Sequence, residues 1–108
     1  MLEALFGNPN VEKILFYLLR FDEGYARGIA TSFGAPLSPM QQQLKRLERG
    51  GLIVSRLVGR TRVFQMNPRY PFRKELEAFL SKAFEAVPEA QVQRFYVKRT
   101  RPRRTGKP

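Results

Sequence analysis

Cysteine and histidine are absent from this chain of 108 residues. Their absence excludes disulfides, thiol chemistry, thiolate or imidazole ligation of a metal, and the side chain that most often acts as a general base near neutral pH. Long apolar runs are missing too. The longest, Ile14 to Leu19, falls far short of the roughly 20 residues a membrane-crossing helix needs. An acid, Glu3, stands where a secretory leader would carry bases. The expectation is a soluble, cytoplasmic protein with no membrane contact. Acids are the remaining scarcity: nine carboxylates face twenty Lys and Arg, for a net charge of +11. They are spread through helical patterns, with no metal-ligand spacing, no nucleophile beside a base and no glycine-rich phosphate loop. The chain is therefore not expected to be an enzyme, and no metal or cofactor is expected.

What is present is a segregated positive charge. Residues 1–35 hold three bases and four acids, and residues 71–88 three of each. Residues 36–70 hold seven bases and one acid, as do residues 89–108. Charge confined in this way is the footprint of a nucleic-acid binder, with acidic proteins and anionic lipid as the other partners that fit it. The length allows one domain, expected over residues 1–88, followed by a basic extension over 89–108 expected to be mobile; Val92, Phe95, Tyr96 and Val97 can prolong a helix briefly, after which 98–108 is proline-broken and without an apolar face.

The first basic region opens with a helix built for display. Leu37, Met40, Leu44 and Leu47 recur at helical spacing and form one apolar face. The opposite face carries Ser38, Gln42, Lys45, Arg46 and Arg49, with Gln41 on its shoulder and Glu48 as the sole acid. Ser38, Pro39 and Gln41 read as a capping box with proline at the first helical position, and Gly50-Gly51 as the stop. Residues 52–58 and 62–67 then switch to β-branched and aromatic composition around Gly59-Arg60-Thr61, which predicts a hairpin. Arg60 falls at its tip, with Arg56 and Arg62 expected beside it as a cluster of three guanidiniums.

Upstream, Leu2, Leu5 and Phe6 make a short apolar turn closed by Gly7, and Asn8-Pro9 starts an amphipathic helix with Val11, Ile14, Leu15, Leu18 and Leu19 on its stripe. Asp22-Glu23-Gly24 reads as a turn, after which Ala26, Ile29, Ala30 and Phe33 support a second helix ending at Gly34. Two helices around a tight glycine turn, the second displayed, predict a helix-turn-helix. From Pro71 a last helix carries Phe72, Leu76, Phe79, Leu80, Ala83 and Phe84 on a broad stripe and ends near Pro88. This stripe is wider than one small core needs, so a homodimer through the helix at 71–87 is expected.

The ordered features L-F-G-N-P-N-V-E-K-I-L, L-K-R-L-E-R-G-G-L-I and R-L-V-G-R-T-R-V-F-Q-M-N-P together resemble a winged helix-turn-helix transcriptional regulator of the ArsR and MarR-like type, over residues 2–84. The resemblance implies a mainly α fold with a small β-hairpin. It also implies a recognition helix at about 37–50 in the major groove of double-stranded DNA and an arginine-tipped wing at about 52–67 on the backbone or minor groove. By position, Ser38, Pro39, Gln41 and Gln42 fall where such proteins meet base edges, and Lys45, Arg46 and Arg49 where they meet phosphate or the groove wall. Metal-sensing members use cysteine and histidine ligands that this chain lacks.

The residues agree with that reading. Gln42 has the chemistry for a bidentate contact to adenine, and Arg46 or Lys45 for guanine. Arg56, Arg60 and Arg62 suit the wing. The phenylalanines fall at core spacings and leave no stacking platform for single strands. The tail fits either non-specific phosphate attraction or docking to an acidic protein partner. The alternative function is a protein-interaction module partnering a separately encoded enzyme, with DNA binding secondary.

Overall fold

The computed structural model describes residues 1–97. The elements run α1 (Glu3–Phe6), α2 (Pro9–Phe21), β1 (Glu23–Tyr25), α3 (Ala26–Phe33), α4 (Leu37–Arg49), β2 (Ile53–Val58), β3 (Thr61–Met66), α5 (Arg73–Phe84) and α6 (Glu89–Phe95). The strands form one antiparallel sheet in the order β1-β3-β2. Helices α3 and α4 form the helix-turn-helix, and the β2–β3 hairpin is the wing beside it.

The centre of the molecule is α2. Asn8 starts it by accepting the Asn10 N–H at 2.7 Å, and Pro9 takes the first helical position, where a missing N–H costs nothing. Its stripe of Val11, Ile14, Leu15 and Leu18, with Phe16 beside it, is buried, and α2 contacts α1, α3, α4, α5, β1 and β3. The short α1 is tied to it by Glu12, which accepts the Leu2 N–H. Met40, Leu44 and Leu47 of α4 pack into the same core as Ile53 and Phe64 of the wing.

Glycines end both helices of the motif by the same device. Gly34 takes φ 61° while the Ala35 N–H reaches back to the Ala30 carbonyl at 2.8 Å; Gly51 takes φ 80° while the Leu52 N–H reaches the Leu47 carbonyl at 3.1 Å. These are paired backbone closures in which a left-handed residue satisfies the last carbonyls of the helix. The second glycine of the Gly50-Gly51 pair is the one that needs positive φ.

The start of α4 differs from the expected capping box. The helix begins at Leu37 with Pro36 at the cap and no side-chain capping bond, so Ser38 and Pro39 lie inside the first turn. Proline is tolerated there because the first N–H groups of a helix have no intrahelical acceptor. The earlier start also brings Leu37 against the core.

A strand stands where the sequence Asp22-Glu23-Gly24 predicts a turn. Glu23–Tyr25 pairs with β3 in the register Glu23↔Gln65, Gly24↔Phe64 and Tyr25↔Val63, which makes β3 the central strand. Three residues are too few to show a period-2 pattern, and E-G-Y is poor strand composition, so the pairing is imposed by tertiary contact. Gly24 is required by packing: a Cβ there would lie 2.6 Å from Cε1 of Tyr17.

The compact unit also continues past residue 88. Residues 89–97, expected to belong to a mobile tail, form α6 and close the core: Tyr96 is only 4% exposed. Its ring sits edge-on to Phe16, Phe84 and Phe33 at centroid distances of 5.9, 5.3 and 5.7 Å. Arg20 clamps the segment by donating from Nε to the Tyr96 carbonyl at 3.2 Å while its guanidinium lies over Phe84. A short apolar set, Val92, Phe95 and Tyr96, is enough because it lands on an aromatic floor already built by other elements. The rest of the basic tail, 98–108, lies outside the described residues.

The last long helix divides its stripe. Leu80 is fully buried and Leu76, Ala83 and Phe84 pack on the core, but Phe72 and Phe79, though at core spacing, are 63% and 41% exposed and form the part of the stripe that this core leaves over. Val87, Val92 and Phe95, which follow the helix in the chain, are packed within the same core.

Burial, with the Glu12 carboxylate adding to it, pushes the Tyr96 phenol well above its usual value near 10. The folded chain thus holds a proton that the unfolded chain releases above about pH 10, so stability present below that pH is lost as pH rises through it. Tyr96→Phe is expected to flatten the alkaline fall in unfolding free energy by up to about 1.4 kcal/mol per pH unit. Denaturant titrations at pH 9, 10 and 11 would show this; parallel curves for the two chains would contradict it.

Candidate nucleic-acid interface

Burial of one face of α4 dictates the other. With Met40, Leu44 and Leu47 inward, the helical repeat aligns Ser38, Gln42, Lys45 and Arg49 at i, i+4, i+7 and i+11 in a single exposed row. Pro39 and Gln41 are exposed on either side of it. Arg46 is exposed too, but on the flank: it donates to the Gln43 side chain at 2.9 Å and lines a groove toward α1 and α2, beside Leu5 and Phe6. The sequence-predicted set on α4 thus resolves into a central row and a side position.

A cleft of about 430 Å³ runs along the other flank of α4, between it, the first turn of α3 and the wing. Arg27, Lys45, Arg60 and Arg62 enter it with Gln41 and Tyr25, and no Asp or Glu is among its lining residues. Four cations from three elements therefore converge on one concave surface. Such convergence creates a positive potential that favours an anion over a cation or an uncharged ligand.

Arg27 and Tyr25 were not singled out in the sequence. Arg27 sits in the first turn of α3, where the helix dipole favours an acid and none is present. Tyr25 is positioned by Gly28: a Cβ at that glycine would come within 2.8 Å of the Tyr25 ring, so the ring lies down on α3 beside the cleft.

The wing separates the three arginines expected to cluster. The register Arg56↔Val63 and Leu57↔Arg62 places Arg56 and Arg62 on opposite faces of the ribbon, because side chains alternate along a strand. Arg56 turns to the β1 side, where it pairs with Glu23 at 2.8 Å and donates to Gln65 at 3.1 Å. Arg62 turns to α4. It donates to Ser55 Oγ at 2.9 Å, and the Ser55 hydroxyl in turn donates to Glu48 at 2.5 Å. Glu48, the single acid of α4, is thereby used to fix the wing to the helix. Arg60 stays at the tip, in the two-residue loop that Gly59 opens with φ 64° and Val58↔Thr61 closes.

The base of the wing is fixed as firmly. Asn67 donates from Nδ2 to the Gly51 carbonyl at 2.8 Å and its N–H bonds the Leu52 carbonyl at 2.9 Å, so the end of β3 is tied to the exit of α4. The helix row and the wing are thus held in one geometry.

Among the described residues no group of three or more His, Cys, Asp or Glu side chains is disposed to hold a metal ion, and no helix is long and apolar enough to cross a membrane.

No family model and no curated protein matches the sequence. Solved structures do match in shape. ZitR of Lactococcus lactis, in a doubly substituted apo form, superposes with a TM-score of 0.55 at 17% identity, over 85% of this chain and 73% of that one. The adhesin competence repressor AdcR of Streptococcus pyogenes gives 0.55 at 13% identity, over 87% of this chain and 73% of that one. At such low identity the likeness is one of fold, and the fold of this chain is the winged helix-turn-helix.

Proposed function

We propose that the chain is a sequence-specific double-stranded DNA-binding transcriptional regulator of the ArsR and MarR-like kind. The observation that carries this reading is the continuity of the exposed α4 row with the acid-free cationic cleft. A row of hydrogen-bonding side chains on a helix suits base edges in a major groove, and flanking cations suit the phosphates beside it. Ser38, Gln42, Lys45 and Arg49 meet the groove floor, with Pro39 and Gln41 at its edge. Arg27, Arg60 and Arg62 take the backbone, and Arg46 reaches phosphate only by leaving Gln43. One structure of like fold is a repressor by name, which agrees with the reading.

The active form is proposed to be a homodimer through α5. Phe72 and Phe79 lie two helical turns apart on one side and are exposed in the single chain, and a two-fold partner would cover them. Symmetry would place two α4 helices on half-sites about 34 Å apart. The basic tail then adds non-specific phosphate attraction.

Selection from random duplexes followed by sequencing is the direct test, and should return an inverted repeat. On the selected site, Gln42→Ala with Lys45→Ala should lose affinity by about 1 to 3 kcal/mol per base contact removed, while binding to unrelated duplex is largely kept. Equal losses on both duplexes would remove the base-reading role.

The two faces of the wing should respond differently to salt. Arg60→Ala is expected to lower the slope of log affinity against log salt by about 0.9 for the phosphate it releases. Arg56→Ala, whose guanidinium is already paired with Glu23, should leave that slope nearly unchanged. If Arg56→Ala flattens the slope as much as Arg60→Ala, the assignment of phosphate contact to the cleft side of the wing is wrong.

Phe72→Ser with Phe79→Ser should convert the protein to a monomer in sedimentation at tens of micromolar without loss of helix content. A wild-type chain that is already monomeric there, with a selected site lacking two-fold symmetry, would refute the dimer.

A further inference from the structure

Phosphate attraction accounts for the arginines of the wing and leaves its aliphatic tip unexplained. Leu57 is 62% exposed and Val58 53%, immediately before the Gly59-Arg60 turn. Their cross-strand partners are Arg62 and Thr61, neither of which shields them. Consecutive strand positions project to opposite faces, so the end of the hairpin is a thin blade with an aliphatic group on each side and a guanidinium at its point. The root of the same ribbon is the reverse, with Ile53, Val63 and Phe64 buried. Strand formation does not require Leu and Val at the tip, since Thr serves a strand as well and stands at position 61. Isolated exposed aliphatics are ordinary, but two paired at the extremity of a cationic ribbon form a shaped surface.

We infer that Leu57 and Val58 form an apolar wedge that enters the DNA minor groove behind Arg60 and bends the duplex there. This deepens the proposed function and rests on it. The occupant is identified by charge: Arg62 lies across the ribbon from Leu57 and Arg60 follows at the turn, and both enter the adjoining cleft, which also holds Lys45 and Arg27 and is lined by no acid. A second copy of the chain would bring the same cations against these, whereas a polyanion with an apolar groove wall satisfies both parts of the tip. Sugar walls and base edges of a minor groove supply that wall, and aliphatic side chains inserted at a base step unstack it and kink the duplex by about 20 to 90°. The wedge adds sequence preference without base hydrogen bonds, since pyrimidine–purine steps deform most readily.

The test uses the full chain on its selected duplex, with the bend measured by energy transfer between end labels and unstacking by 2-aminopurine placed at the step the wing meets. Wild type should bend the duplex by at least about 20° and raise the 2-aminopurine fluorescence. Leu57→Thr with Val58→Thr keeps strand propensity at exposed positions and should lose most of both signals while the salt slope stays unchanged, because no phosphate contact is removed. Binding by wild type without bending, or an unaltered bend in the variant, overturns the wedge alone and leaves the regulator reading intact. A variant that changes the sedimenting species instead shows the tip to be a contact between copies and also overturns it. Failure of wild type to bind any duplex overturns the proposed function and the wedge together.

Discussion

Burial of the α2 stripe is the constraint on which the other elements depend. A 13-residue helix with Val11, Ile14, Leu15, Phe16 and Leu18 inward leaves no room for independent choices by its neighbours. Each brings its own apolar face to α2 or to the core around it: Ile29 and Ala30 from α3, Met40 and Leu44 from α4, Leu80 from α5, and Tyr96 from beyond α6. Fully burying one such side chain contributes about 1.5 to 3 kcal/mol, so turning α4 even one residue on its axis would expose several at once. The exposed row on α4 is therefore set by what the helix hides, and the polar residues inherit their orientation from Met40, Leu44 and Leu47.

Polar contacts then fix what burial alone leaves loose. A two-stranded ribbon is marginal in water, and here it is held in three ways: β1 adds a third strand, Asn67 ties its base to Gly51, and Glu48 reaches it through Ser55. The last of these is charge-assisted and joins the wing to the helix it flanks. The hairpin is consequently an extension of α4, and Arg62 enters the shared cleft from a defined direction.

How much of this was legible depended on whether the signal was local. The stripes of α2 and α4, the Asn8-Pro9 start, the glycine stops and the change of period at Leu52 are all encoded within a few residues, and the helix-turn-helix and wing followed from them. What escaped was decided by contacts across the chain. Strand β1 exists because β3 has an open edge beside Glu23–Tyr25. Residues 89–97 fold back because Phe16, Phe33 and Phe84 make a floor that no window containing Tyr96 reveals. Phe72 and Phe79 show the opposite case: their helical spacing matches a core, but the core is already filled by Leu76 and Leu80, and they remain as the surplus of a stripe wider than one core needs. In the candidate interface the α4 residues were legible from periodicity. The split of Arg56 from Arg62 required the strand register, and Arg27 required knowing that the start of α3 faces the wing.

The few acids near this surface show how its charge is shaped. Glu23 neutralises Arg56 on the β1 side of the ribbon, and Glu48 is engaged by Ser55. Each exposed ion pair of this kind contributes little to stability, typically 1 kcal/mol or less, so their effect is better judged by the field they leave. Glu23 cancels a cation that points away from the cleft, while Arg27, Lys45, Arg60 and Arg62 face into it. The uncompensated charge is thus concentrated between α4 and one face of the wing, on the concave side, where field lines converge and screening by salt is weakest. A net charge of +11 spread evenly would attract any polyanion in any orientation; this distribution selects one approach, with the hydrogen-bonding row of α4 leading.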